Sequence, residues 1–317
     1  ETLKVTLEDG IAHVAFNRPQ KSNALHEQGW QELKDVFEAL DGTGIEIRHR
    51  DDPSLPTPLP TPTMLRQQIY GVQSTADLDA IEAELSKDRR VTRLADGSLE
   101  TTDVFDFALK FQVTKRRELV MEAEKINAPG APAQRAPNEL GIYPGMPAAP
   151  RSLSHTVLFV PDQQKGAEWY VERLGFVITD ILVPAGPFLR PKANDDHHTL
   201  FFIQTPEYMK GIEHLAFHMG GPTELMVAGS RLARKGFQSF WGPGRHKFGS
   251  NWFWYFNSPL GTHFEYDADM DKHDDSWVAR QAPMSPQGTQ MFLFEWRQRW
   301  SPGPGPEGIT EGEDTPE

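Results

Sequence analysis

Alternation of apolar and polar residues opens the chain. "LKVTLEDGIAHVAF" reads as two strands turning at Asp9-Gly10. From His26 to Leu40 the period lengthens, with Trp30, Leu33, Val36, Phe37 and Leu40 recurring every three or four residues, the buried stripe of an amphipathic helix. The prolines of "DDPSLPTPLPTPT" then forbid regular structure. Beyond them "QQIYGV" predicts a strand, "TADLDAIEAELSK" a helix and "FALKFQV" another strand. Thr75 to Asp77 form the cap region of that helix, and Leu78, Ile81 and Leu85 fall on one face. These elements make up part of an α+β module.

From Ile126 to Pro150 the chain is rich in proline, alanine and glycine and reads as an extended connection. A second module follows: strand "HTVLFV", helix "DQQKGAEWYVERLG", strand "FVITDI", a loop, strand "HTLFFI", strand "EHLAFHM", helix "TELMVAGSRLARKG", strand "NWFWYFNS", turn "PLG" and strand "THFEYD". A strand-helix-strand start with further strands, written twice, is an internal duplication within an α+β pattern. The expected organisation is residues 1–41, a hairpin and helix; 42–125, a partial module; 126–150, the linker; 151–290, the second module; and 291–317, a C-terminal extension ending in an acidic, disordered tail.

The chain of 317 residues is long enough for one large domain or two moderate ones. With no run of about 18 apolar residues and no basic-then-apolar start, the expectation is a cytoplasmic protein with no membrane partner. Cysteine is absent, so a metal would be held by histidine, carboxylate or backbone oxygen. A formal net charge of −13 without a basic stripe argues against nucleic acid.

Polar residues interrupt three buried-looking strands: His155 in "SHTVLFVPD", His214 in "GIEHLAFHM" and Glu265 in "GTHFEYDADMD". Taken singly, a strand histidine is more often a core or rim residue and a glutamate solvent-facing. Together, two imidazoles and a carboxylate make a facial triad that leaves positions open on a divalent metal, the arrangement of non-haem Fe(II) sites. Two adjacent histidines, His197 and His198, precede the strand "TLFFI", where alternation lets only one face the interior. His218 shares the strand face of His214, and His263 that of Glu265, the latter at the rim. The run Asp267 to Asp275 lacks the spacing of a calcium loop and reads as solvated.

The pieces "SHTVLFVPD", "ERLGF", "NDDHHTLFF", "GIEHLAFHM" and "GPGRHKFGSNWFWYFNSPLGTHFEYD", spread over Leu153 to Asp271, resemble the catalytic module of type I extradiol catechol dioxygenases in the vicinal oxygen chelate superfamily. The resemblance implies tandem βαβββ modules, with metal ligands His155, His214 and Glu265 and an Fe(II) cofactor, Mn(II) being the alternative. It further implies that His198 faces the cavity as an acid/base group, with His197 turned toward solvent or an oligomer surface. His246 and Tyr255, nine residues apart, would hydrogen-bond a catechol; without the resemblance they read as a loop histidine and a core aromatic. The implied partners are a small aromatic diol and O₂, and a homo-oligomer is expected.

Residues 2–41, with "NRP" and "NAL" in "VTLEDGIAHVAFNRPQKSNAL", resemble instead the N-terminus of the enoyl-CoA hydratase (crotonase) superfamily, in its hydroxycinnamoyl-CoA hydratase-lyase branch. The first module is therefore expected to be incomplete or replaced by this segment. A glyoxalase-type metal-dependent lyase or isomerase, which shares the fold and ligands without needing His198, His246 and Tyr255 together, is the alternative function; an inactive chimeric binding protein is another.

Overall fold

The computed structural model describes residues 3–8, 11–16, 39–48, 51–61, 65–258 and 260–294. Strands β1 (Leu3–Glu8) and β2 (Ile11–Phe16) pair antiparallel, as the alternation predicts. The helix expected over His26–Leu40 falls outside the described residues up to position 38, and Leu40 lies in a turn. The acidic tail also lies outside them.

The remainder is one design used three times. The first unit comprises β3 (Gln68–Val72), α1 (Thr75–Leu85), β4 (Thr92–Arg93), β5 (Leu99–Thr102) and β6 (Ala108–Val113). Ser74 caps α1 in a capping box with Asp77. After an irregular stretch comes the second unit: β7 (Ser152–Val160), α2 (Gln163–Leu174), β8 (Phe176–Val183), β9 (Gly186–Pro191) and β10 (Leu200–Gln204). Asp162 caps α2, and Gly175, at φ 68°, ends it in the left-handed conformation that glycine adopts without strain. The third unit is β11 (Gly211–His218), α3 (Pro222–Arg234), β12 (Ser239–His246), β13 (Trp252–Asn257) and β14 (His263–Ala268). A short β15 (Arg280–Pro283), α4 (Pro286–Thr289) and β16 (Gln290–Leu293) complete the described chain.

In each unit the first strand lies parallel to the last, and the last three strands form an antiparallel meander: β3-β6-β5-β4, then β7-β10-β9-β8, then β11-β14-β13-β12. The fold is thus mixed α+β, and the first module contains a complete βαβββ unit. β7 and β11 pair antiparallel and join the second and third units into a ten-stranded sheet. β15 extends one edge beside β8, and β16 the other beside β12.

Sequence patterning misses β4, β5, β9 and β12. The first two are short, and β9 carries Pro187 and Pro191 near its ends. Gly242-Pro243-Gly244 lies inside β12, whose pairing with β13 shifts register between Trp241 and Gly244; proline is tolerated where the ladder is already interrupted.

Two apolar clusters anchor the sheet. One joins Leu78, Leu85, Leu99 and Leu109 of the first unit to Trp169, Tyr170 and Phe202 of the second, so those units share a core. The other packs Leu225, Ala228 and Leu232 of α3 on Trp254 and Phe256 of β13. No helix among the described residues is long and apolar enough to cross a membrane.

Candidate metal centre

His155, His214 and Glu265 lie on β7, β11 and β14, which are neighbours in the sheet. Pairing sets their level: His214 is opposite Val157, and Ala216 is opposite Glu265. All three are buried. Glu265 Oε2 is 3.1 Å from His155 Nε2 and 3.3 Å from His214 Nε2, and the two Nε2 atoms are 3.3 Å apart. Donors sharing one ion in neighbouring coordination positions at about 2.1 Å lie about 3 Å from each other. Neither oxygen of the buried Glu265 receives a hydrogen bond from a described residue, and an unpaired buried carboxylate costs several kcal/mol. Donor set, spacing and bare carboxylate fit a divalent metal, and the three residues form a group able to hold one.

Hydrogen bonds fix which nitrogen each histidine turns inward. His155 Nδ1 donates to Ser154 Oγ at 2.9 Å, because the serine hydroxyl itself donates to Asp267 Oδ2 at 2.7 Å. His214 Nδ1 donates to the Glu213 carboxylate, whose other oxygen accepts from His263 Nδ1 at 2.7 Å. Both Nε2 lone pairs are therefore free for a metal. Glu213 reaches its own neighbour because β11 changes register against β7 between Ile212 and His214, a bulge that re-aims the side chain.

Three further side chains converge from two sides. His198, just before β10, is buried with its ring 4.2 Å from that of His155 and 4.9 Å from Phe188. Burial and the neighbouring imidazoles push it well below 6.5, so its ring is neutral. From the other side, Tyr255 on β13 stands opposite Glu265, with its ring 4.9 Å from His214. Burial, followed by the Glu265 charge, pushes its phenol well above 10, so it keeps its proton. His246 closes β12; its Nδ1 donates to the Thr289 carbonyl at 3.1 Å, and its Nε2 accepts from the Tyr255 hydroxyl at 3.3 Å. The six residues singled out in the sequence thus meet in one place.

Several expectations need correction. His197 is wholly buried, not turned to solvent: its Nε2 is 2.9 Å from Asp180 and its Nδ1 is 2.9 Å from His198 Nδ1. Its backbone N–H donates to the Asp271 carbonyl, which draws it inward. Asp267, read as the start of a solvated run, is a buried residue of β14 that holds Ser154 and, at 2.7 Å, His218 Nδ1. His273 stacks on Trp277 and lies 5.4 Å from the His197 ring. Glu213, Ser154, Asp180 and Thr289 were not singled out, because a carboxylate or hydroxyl beside a histidine carries no periodic signal. Only adjacency to His155 and His214 could have pointed to two of them.

Residues 152–266 match the family described as the Glyoxalase/Bleomycin resistance protein/Dioxygenase superfamily. That segment is similar to the domain of this superfamily. It contains every residue of the six-membered constellation. Metapyrocatechase 2 of Cupriavidus necator is 31% identical over 158 residues, which covers 46% of this chain and 49% of the relative. The chain spans about half the length of the curated relatives it matches. Among solved structures, BphC, a halotolerant catechol dioxygenase, aligns over 93% of this chain and 86% of its own with a TM-score of 0.59 at 15% identity. The Mn(II)-bound glyoxalase from Novosphingobium aromaticivorans aligns over 71% and 69% with a TM-score of 0.53 at 23% identity. These two likenesses are of fold alone.

Proposed function

We propose that this protein opens the ring of a catechol-type aromatic next to its diol, using O₂ and an Fe(II) ion held by His155, His214 and Glu265. The observation that carries the reading is the placement of His198 on one side of the triad and His246 with Tyr255 on the other. The resemblance to metapyrocatechase 2 supports it. A divalent ion held by His155, His214 and Glu265 would, when bound, supply Lewis-acid activation of the diol and a path for the diol's own electrons to O₂. His198 offers a neutral imidazole to take a proton and return it to a developing oxygen. A bound diol would replace the hydrogen bond now shared by the Tyr255 hydroxyl and His246 Nε2, with Tyr255 donating to one diol oxygen and His246 accepting from it or its neighbour, which settles their protons. Phe188 against His198 keeps that side dry. Both atoms of O₂ enter the product, so no external reductant is consumed.

Residues 1–41 take no part in this chemistry, on this reading. The chain acts in the cytoplasm as a homo-oligomer, consistent with exposed apolar Met291 to Phe294 along edge strand β16. Mn(II) is the alternative metal, supported by the Mn(II)-bound neighbour.

The test is an aerobic assay of iron-loaded protein against a panel of substituted catechols, following O₂ uptake and a yellow ring-opened product. Stoichiometric uptake is expected. No uptake with any member, together with anaerobic turnover of a thiol adduct, would make the protein a glyoxalase-type lyase instead.

A further inference from the structure

We propose that Asp180 and His197 set the tautomer of His198, holding its proton on Nδ1 so that an unprotonated Nε2 is turned away from them and offered to the substrate. This deepens the acid/base role given to His198 above and rests on that reading.

The chain of hydrogen bonds begins at Asp180, a wholly buried residue of β8. Its Oδ1 accepts the backbone N–H of Arg280 at 2.7 Å, and its Oδ2 accepts from Arg280 Nη2 at 2.6 Å. Burial works to raise this carboxyl, but the hydrogen bonds from His197 and Arg280 prevail and keep it below the ordinary range. An ionised carboxylate only accepts. His197 Nε2, 2.9 Å from Oδ2, must therefore carry a proton. The His197 ring is wholly buried and the carboxylate it meets is already paired with the Arg280 guanidinium, so a second ring proton would lack a counter-charge; Nδ1 is bare, in keeping with burial pushing the ring below 6.5. His198 Nδ1 lies 2.9 Å from that bare nitrogen. Two lone pairs repel at that distance, so the hydrogen between them belongs to His198 Nδ1. With that proton on Nδ1, the acceptor lone pair of the His198 ring is on Nε2. It can accept a substrate proton and hand it back with the rest of the chain unmoved.

The surroundings keep the relay in register. The His197 backbone N–H is tied to Asp271, and its ring lies 5.2 Å from that of Phe188. Gly249, at φ 76°, passes so close that a Cβ would stand 3.1 Å from His197 Nδ1. Asp180 and His197 are positioning residues: they act through His198.

Nitrogen-15 NMR of the histidine rings in the full chain, loaded with diamagnetic Zn(II), reads the tautomer directly, with His198 assigned by its loss in His198→Phe. The expected spectrum has a protonated Nδ1 and a bare Nε2. In Asp180→Asn the backbone N–H of Arg280 keeps the amide oxygen and the exposed Arg280 guanidinium, now facing a donor, turns to solvent, so the NH₂ faces His197 and each bond in the chain reverses. His198 should then carry its proton on Nε2. The iron-loaded variant should lose about 10²–10⁴-fold in kcat, the range of an acid/base group, with KM little changed. A protonated Nε2 in the wild type, or an unaltered tautomer in folded Asp180→Asn, overturns the proposal. Should that variant not fold, the wild-type spectrum decides alone. A wild type that consumes no O₂ defeats the proposed function, while the ring nitrogens still report the relay.

Discussion

At the scale of single residues, ligands and their supports are expected to separate cleanly. Removing His214 leaves two donors of three, so His214→Ala should lose bound iron, as measured by metal analysis after gel filtration. His198→Phe leaves the donor set intact. It should keep iron and anaerobic catechol binding while turnover falls by about 10²–10⁴-fold. Full turnover, or iron loss as severe as in His214→Ala, would remove His198 from the role assigned to it. Glu213 is a subtler case, because it acts through the Nδ1–H of His214. Residues that orient a ligand in this way typically contribute about 10–100-fold in metal affinity. Glu213→Gln should weaken metal binding by that order in a competition titration with a chelator, and unchanged affinity would show that the bulge in β11 alone aims His214.

At the scale of elements, the packing of α3 on β13 depends on a residue with no side chain. Gly229 sits in the middle of the helix directly over Trp254, where an added Cβ would lie 2.2 Å from the indole Cε3. Alanine is the better helix former by about 1 kcal/mol, so propensity alone favours Gly229→Ala. Overpacking a filled core typically costs about 1–3 kcal/mol. The Trp254 ring is wholly buried and its Nε1 is held by Ser239 Oγ at 2.9 Å, so it cannot retreat. Gly229→Ala should therefore lower the urea unfolding free energy. A stabilised variant would mean that helix and sheet move apart without penalty.

At the scale of the whole molecule, the first and second units are joined through a buried carboxyl. Asp103, in the β5–β6 connection, accepts the backbone N–H of Phe105 and Phe107 at 2.8 and 3.0 Å, and the hydroxyl of Tyr170 on α2 at 3.0 Å. Burial outweighs these bonds and pushes it up to about 6 from 3.8. Between those values the native state keeps a proton that the unfolded chain releases, so unfolding free energy falls as pH rises through the window. The loss amounts to about 3 kcal/mol and is complete above the folded value. Asp103→Asn retains an acceptor and cannot ionise, so its denaturation series from pH 4 to 7 should lack this component. Superimposable wild-type and variant profiles would contradict the assignment. Because the two units share one core, both proteins should unfold in a single transition, with intrinsic fluorescence and circular dichroism coincident.

Much of this could be read from the chain alone. Strand alternation and helical stripes located β3, α1, β7, α2, β11, α3, β13 and β14, because each element buries one face and the period of burial is written in the order of residues. The triad showed as polar residues interrupting apolar strands, and its meaning came from the order of the surrounding motifs. What the tertiary structure decided is of another kind. β12 is a strand because β13 and β16 flank it, although its Gly-Pro-Gly reads as a turn. His197 is buried because Asp180 on β8 and the Asp271 carbonyl, both distant in sequence, draw it in. Glu213, Ser154 and Thr289 acquire roles only where a bulge, a neighbouring strand and a C-terminal turn bring them to a ring nitrogen. Periodicity records which face of an element leaves water; a hydrogen bond between side chains depends on register between strands, which arises only when the whole sheet is assembled.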